Sequence, residues 1–158
     1  METTKKKLTE QEAYVRLANK CAAAELCKSD IRRQMAKWDL PEGAPDSILD
    51  RLEKEHYVDE NRYAQAFARD KFLYNHWGWM KIEMELKKKG IPQGSIEGAK
   101  SEISEDDKLE TLKALIEEKK RTVTGKSLYE IRCKLYKFAM GKGFSFDEIQ
   151  KVVGDLDE

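Results

Sequence analysis

Apolar positions along this chain return every three or four residues, the period of a helix with one buried face. Ala13, Leu17 and Cys21 form one stripe, with Tyr14 and Ala18 beside it, and Ile31 and Met35 face inward from a second helix near 28–37. "DLPEGAPDS" breaks the pattern with two prolines and a glycine, and Asp46 or Ser47 can then cap a helix that buries Ile48, Leu49 and Leu52. Asp59 is placed to cap "ENRYAQAFARDKFLYN", whose inward stripe is Tyr63, Ala64, Phe67 and Lys71 or Phe72. "NHWGW" interrupts, "MKIEMELKKK" buries Ile82 and Leu86, and Gly90 supplies a left-handed stop. Ile96, Ala99 and Ile103 mark a weaker helix, loosened by Gly94 and Gly98. Ser104 and Asp107 have capping-box spacing before Leu109, Leu112, Leu115 and Ile116, and Ser127 and Glu130 repeat it before Ile131, Leu135, Phe138 and Ala139. Gly143 stops that helix, and "FDEIQKVVGDL" supplies the last one.

This pattern repeats. Ile82, Leu86, Gly90, Ile91 and Ile96 map without gaps onto Leu135, Ala139, Gly143, Phe144 and Ile149, every pair 53 residues apart. Ile31, Met35, Asp39 and Leu40 fit the same template 51 residues before the central copy, with a longer loop before Ile48. The expected fold is therefore all-α: three tandem three-helix repeats stacked into an elongated, curved, solenoid-like array, each too small to bury its faces alone. The expected divisions are a flexible basic tail over 1–8 and repeats over 9–58, 59–104 and 105–158.

Composition narrows the class. The 158 residues carry 30 basic and 30 acidic side chains, so the net charge is zero, and 38% of residues are charged. No apolar run is long enough to cross a membrane, and METTKKKLTEQ has no apolar stretch behind its lysines, so neither a span nor a secretory signal is expected. Three cysteines without framework spacing suit a reducing, cytoplasmic setting and read as small buried hydrophobes. With His56 and His76 they match no zinc pattern, and no phosphate loop or nucleophile–base order stands out; neither a metal, another cofactor nor an enzyme is expected.

At this point residues 58–91, "VDENRYAQAFARDKF…GWMKIEMELKKKGI", resemble the central signature of the RecX family of regulatory proteins. The matching positions are Asp59, Glu60, Arg62, Tyr63, Ala64, Phe67, Gly78, Ile82, Leu86, Gly90 and Ile91, and "KLYKFAMGKGFSFDEI" with Leu135, Gly143 and Phe144 is similar to the family's third repeat. The resemblance covers roughly residues 12–156 and departs from the family at Ala22-Ala23-Ala24, at Cys27 and at Gly94 and Gly98. It implies a cytoplasmic regulator that binds RecA filaments and modulates, by inhibition, their ATPase, strand-exchange and coprotease activities in recombination, DNA repair and the SOS response. Weak binding to single- or double-stranded DNA and a monomeric state accompany that expectation. A RecA-independent DNA-binding module and a general helical scaffold for protein partners stay open as alternatives.

Charge is unevenly spread, which locates a candidate surface. Residues 104–118 sum to −4, residues 119–142 to +7 and residues 143–158 to −4. The candidate partner-binding cations lie on or beside the middle helix of each repeat: Arg32, Arg33 and Lys37; Lys81, Lys87, Lys88 and Lys89; and Arg132, Lys134, Lys137 and Lys142. Arg69, on the first helix of the central repeat, joins them as a partner contact, whereas Arg62 is expected to brace its own repeat against a carboxylate. Tyr74, Trp77 and Trp79 around Gly78 are read as the core of an inter-helix corner rather than as base-stacking residues.

Overall fold

The computed structural model describes residues 4–154. Among them nine helices form three trios: α1 (Glu10–Ala23), α2 (Lys28–Met35) and α3 (Ala44–Lys54); α4 (Glu60–Asn75), α5 (Trp79–Lys88) and α6 (Gln93–Lys100); and α7 (Glu105–Lys120), α8 (Leu128–Lys142) and α9 (Phe146–Val153). Every extensively packed pair of helices lies within one trio. Each trio has its own apolar cluster, centred on Leu17, Ile31 and Leu52, on Ile82, Leu86 and Ile96, and on Leu112, Leu135 and Phe144. The chain is an all-α array of three-helix units.

Local chemistry sets the helix ends. The side chains of Asp59, Ser104, Ser127 and Ser145 accept the N–H of Arg62, Asp107, Glu130 and Glu148, satisfying donors that a first helical turn leaves open. At Ser145 the box is reciprocal, because Glu148 accepts the Ser145 N–H at 2.9 Å. At Ser127 the acidic partner reaches one residue further back, and Glu130 accepts from Lys126 N–H instead. Gly90 (φ 75°) and Gly143 (φ 103°) take the left-handed conformation after α5 and α8. The repeat register holds: Ile82, Leu86, Ile91 and Ile96 are buried, and so are Leu135, Ala139, Phe144 and Ile149.

Several expectations need correction. Residues 6–8 are not a loose tail: Lys6–Lys7 form β1, paired in parallel with β2 (Trp38–Asp39), and Leu8 is core. The cause is a hydrophobic staple, with Leu8 just before the Thr9 cap and Ala13 one turn in, both buried in the same cluster. Residues 1–3 lie outside the described residues. Helix α3 begins at Ala44, before either expected cap, because Gly43 turns left-handed and Pro45 suits a first turn. Ile103 falls after α6, although it still packs on the central cluster. Tyr74 is exposed rather than corner core; Phe72 takes the inward position, and two residues further round the helix faces solvent. Cys27 is buried, while Cys21 and Cys133 are only partly so, and all three are free thiols. No helix among the described residues is long and apolar enough to cross a membrane.

Candidate partner-binding face

The middle helices α2, α5 and α8 meet end to end. The carbonyl of Lys142, the last residue of α8, accepts the N–H of Gly78, the cap of α5, at 2.7 Å, and the Gly143 carbonyl accepts Met80 N–H at 3.0 Å. At the other end of α5, Lys89 Nζ donates to Asp30 Oδ1 in the first turn of α2 at 3.2 Å. The C-terminal end of one middle helix thus meets the N-terminal end of the next, twice. This chain of contacts places the three cationic groups in series.

The trp-glycine corner builds the first of these joints. A Cβ on Gly78 would overlap the backbone of Gly143, and one on Gly143 would lie 2.5 Å from Lys81 Cβ. Only glycine at both positions lets the two main chains touch. Trp79 is buried beside this contact and donates its indole N–H to Glu83 at 3.0 Å. Trp77 packs edge-on against Phe67, with the Lys71 and Lys81 ammonium groups 5.0 and 4.6 Å from its ring centre. Lys108, from α7, is buried beneath; it pairs with Glu105 at 3.0 Å and lies 6.0 Å from the Trp79 ring.

Side-chain ions build the second joint. Arg62 spans it: Nε donates to Glu25, in the α1–α2 connection, at 2.6 Å, and its terminal nitrogens donate to the carbonyls of His56 and Tyr57. Arg62 thus ties the N-terminal trio to the central one, rather than bracing its own repeat as expected. Glu60 accepts Lys28 N–H at 2.9 Å, and burial pushes its carboxyl up. Burial also works to raise Asp30, but hydrogen bonds from the Cys27 thiol and N–H and from Lys89 outweigh it and hold the carboxyl below its usual range. For Lys89 burial works downward, and Asp30 with the Tyr63 hydroxyl outweighs it, so the ammonium is held above its usual range. Tyr63 is pushed up to about 12, first by burial.

The proposed cations divide accordingly. Lys89 is spent internally, on Asp30 and over the Tyr63 ring, so it leaves the outward set. Arg32 pairs with Asp46, Lys87 with Glu83, Lys88 with Glu85 and Lys134 with Glu130 at the surface, and the exposed Arg33 pairs with the largely buried Asp30. Lys134 also donates to the Thr124 carbonyl. Such exposed pairs contribute about 0–1 kcal/mol, so these cations exchange partners readily. Lys37, Arg69, Lys137 and Lys142 have no ion pair among the described residues. Asp30, Glu25 and Lys108 went unremarked in the sequence, since nothing local marks a side chain that contacts another trio.

Comparison with known proteins matches these features. The family model for the second three-helix domain of RecX matches residues 59–99, and that for the third matches residues 105–153. The chain is 30% identical over 128 residues to a regulatory protein RecX of Halalkalibacterium halodurans, a match covering 80% of this chain and 48% of that one. It is 32% identical over 128 residues to one of Clostridium botulinum, covering 80% of this chain and 59% of the other. The chain spans about half the length of the curated relatives it matches. The crystal structure of RecX from Lactobacillus salivarius superposes with a TM-score of 0.83 at 21% identity, over 94% of this chain and 96% of that one, and shows the same fold. With Glu60, Arg62, Gly78 and Gly143 seated at the two joints and both domain models matched in order, the chain belongs to the RecX family.

Proposed function

We propose that this chain is a regulator that binds the RecA nucleoprotein filament and inhibits its ATPase, strand-exchange and coprotease activities. The observation that carries the reading is the end-to-end run of α8, α5 and α2, each bearing exposed cations, along a molecule made of separately cored trios. A filament presents the same surface at every protomer, so a serial array of cationic helices can engage several protomers together. Linked weak contacts of this kind gain avidity without any single strong one. Arg69 and Lys137, without an ion pair among the described residues, and Arg33, Lys87 and Lys88, weakly paired, are the side chains offered outward. The names of the RecX relatives as regulatory proteins support the regulatory part of the reading.

The test takes one exposed cation from each middle helix: Arg33→Glu, Lys88→Glu and Lys137→Glu together. The expected outcome is loss of inhibition of RecA's DNA-dependent ATPase, with the helical circular dichroism unchanged. Undiminished inhibition by the triple variant excludes this face.

A further inference from the structure

The outward faces of the middle helices carry methionines among their cations. Of the four methionines among the described residues, Met80, Met84 and Met140 are 58, 50 and 55% exposed, whereas Met35 is core at 3%. The repeat register aligns them with the charges. Arg33, Met84 and Lys137 occupy one position of the repeat, and Ala36, Lys87 and Met140 another, at the same offsets of 51 and 53 residues. All six side chains are exposed. On α5, Met80, Met84 and Lys88 follow at four-residue spacing, and on α8 Met140 follows Lys137 by three. Thioethers and ammonium groups therefore share one side of each helix.

The glycine joint ties the two runs together. Met80 N–H donates to the Gly143 carbonyl and Gly143 N–H to the Met140 carbonyl, both at 3.0 Å, so one residue links the start of the α5 run to the end of the α8 run. Packing within the molecule does not call for methionine at exposed helical positions, which lysine, glutamate or glutamine fill equally well. What methionine adds is a soft, unbranched thioether that fits an uneven apolar surface and that oxidation turns polar. Their exposure leaves these three sulfurs open to a small oxidant, and the packed core shields Met35.

We propose that Met80, Met84 and Met140 form an oxidation-sensitive patch, which a peroxide converts to sulfoxides and thereby switches off the partner-binding face. The proposal rests on the filament reading of that face and adds its regulation. In each step the sulfur lone pair attacks one peroxide oxygen, an S–O bond forms and the O–O bond breaks. The proton on the transferred oxygen passes to the departing hydroxide, which leaves as water; sulfur loses two electrons and the peroxide gains them. Each new oxygen is a strong hydrogen-bond acceptor, and covering it with a partner's apolar surface strips away its water. The fold is untouched, because none of the three side chains belongs to an apolar cluster.

The experiment treats the full chain with hydrogen peroxide, removes the excess with catalase and locates sulfoxides by peptide mass spectrometry. Inhibition of RecA's DNA-dependent ATPase is then measured. Met80, Met84 and Met140 are expected to oxidise before Met35, with the helical circular dichroism unchanged. The concentration giving half inhibition should rise about tenfold, and methionine sulfoxide reductases should restore it. Met80→Leu, Met84→Leu and Met140→Leu together should keep their inhibition through the same treatment. Sulfoxides at the three positions without loss of inhibition overturn the proposal, as does earlier oxidation of Met35. Equal loss in the leucine variant, or recovery with dithiothreitol alone, assigns the effect to the cysteines and overturns it too. If the leucine variant does not inhibit before treatment, enzymatic repair of the oxidised wild type decides. Absence of inhibition by the untreated wild type overturns the filament reading itself, and the proposal with it.

Discussion

The two joints occupy equivalent places in the repeat but are made from different materials. Between the central and C-terminal trios, main chain meets main chain: Gly78 and Met80 donate to the carbonyls of Lys142 and Gly143, and no side chain fits between them. Between the N-terminal and central trios the position equivalent to Gly78 is Cys27, and the contact passes through Lys89–Asp30, Arg62–Glu25 and Glu60 on Lys28 N–H. A backbone contact has one geometry and no titratable group. An ionic contact made by long side chains tolerates small displacements and responds to pH and salt. The same repeat therefore supplies one rigid articulation and one compliant one.

The largest expected effect is at the rigid joint. Gly78→Ala forces a methyl group into the Gly143 backbone and should destabilise by about 1–3 kcal/mol. Gly143→Ala adds the cost of a left-handed alanine to a clash with Lys81. Gly90→Ala is the matched control: it has the same left-handed backbone, with nothing within 4 Å of the new methyl, and should lose only about 1–2 kcal/mol. Urea unfolding followed by circular dichroism ranks the three; equal midpoints for Gly78→Ala and wild type would remove the distinction between the joints.

An intermediate effect belongs to the ionic joint. Asp30 is depressed, so its contribution is complete above the ordinary carboxylate range and is lost as pH falls through its lowered value. Lys89 is elevated, so its contribution is complete below the ordinary lysine range and is lost as pH rises through its raised value. The pair should thus hold steady between about pH 5 and 10 and weaken on either side. Asp30→Asn should cost about 1–3 kcal/mol at neutral pH and flatten the acid limb of the stability profile. An acid limb as steep in the variant as in wild type would assign it to other carboxylates.

The smallest effect lies away from both joints. Gly94 sits inside α6 with open space around it, so Gly94→Ala should stabilise by about 0.5–1 kcal/mol, read from the same urea midpoint. A loss of stability there would mean that the glycines of this chain share a role beyond the joints.

Much of the architecture is legible in residue order. The helical period, the serine and aspartate caps and the glycine stops at 90 and 143 act within one turn of chain, and the 53-residue offset exposes the repeat. The β1–β2 ribbon was missed although Leu8-Thr9-Glu10-Gln11-Glu12-Ala13 carries a staple and a cap, because three lysines in front outweighed one leucine. The candidate cations were visible as a cluster, but their state was not. Lys89 reads like its neighbours Lys87 and Lys88, yet it pairs with a carboxylate 59 residues away, and Arg62 finds Glu25 across 37.

Residue order alone settled the helices, most of their ends and the threefold repetition, and pointed to the family. Hydrogen bonds between residues four apart and a period of 3.6 residues are local, so they need no knowledge of distant chain. Folding settled how the trios join and which cations are paired among the described residues. Charge pairing and backbone contact depend on distances between residues far apart in the chain, and only the packed cores bring those residues together.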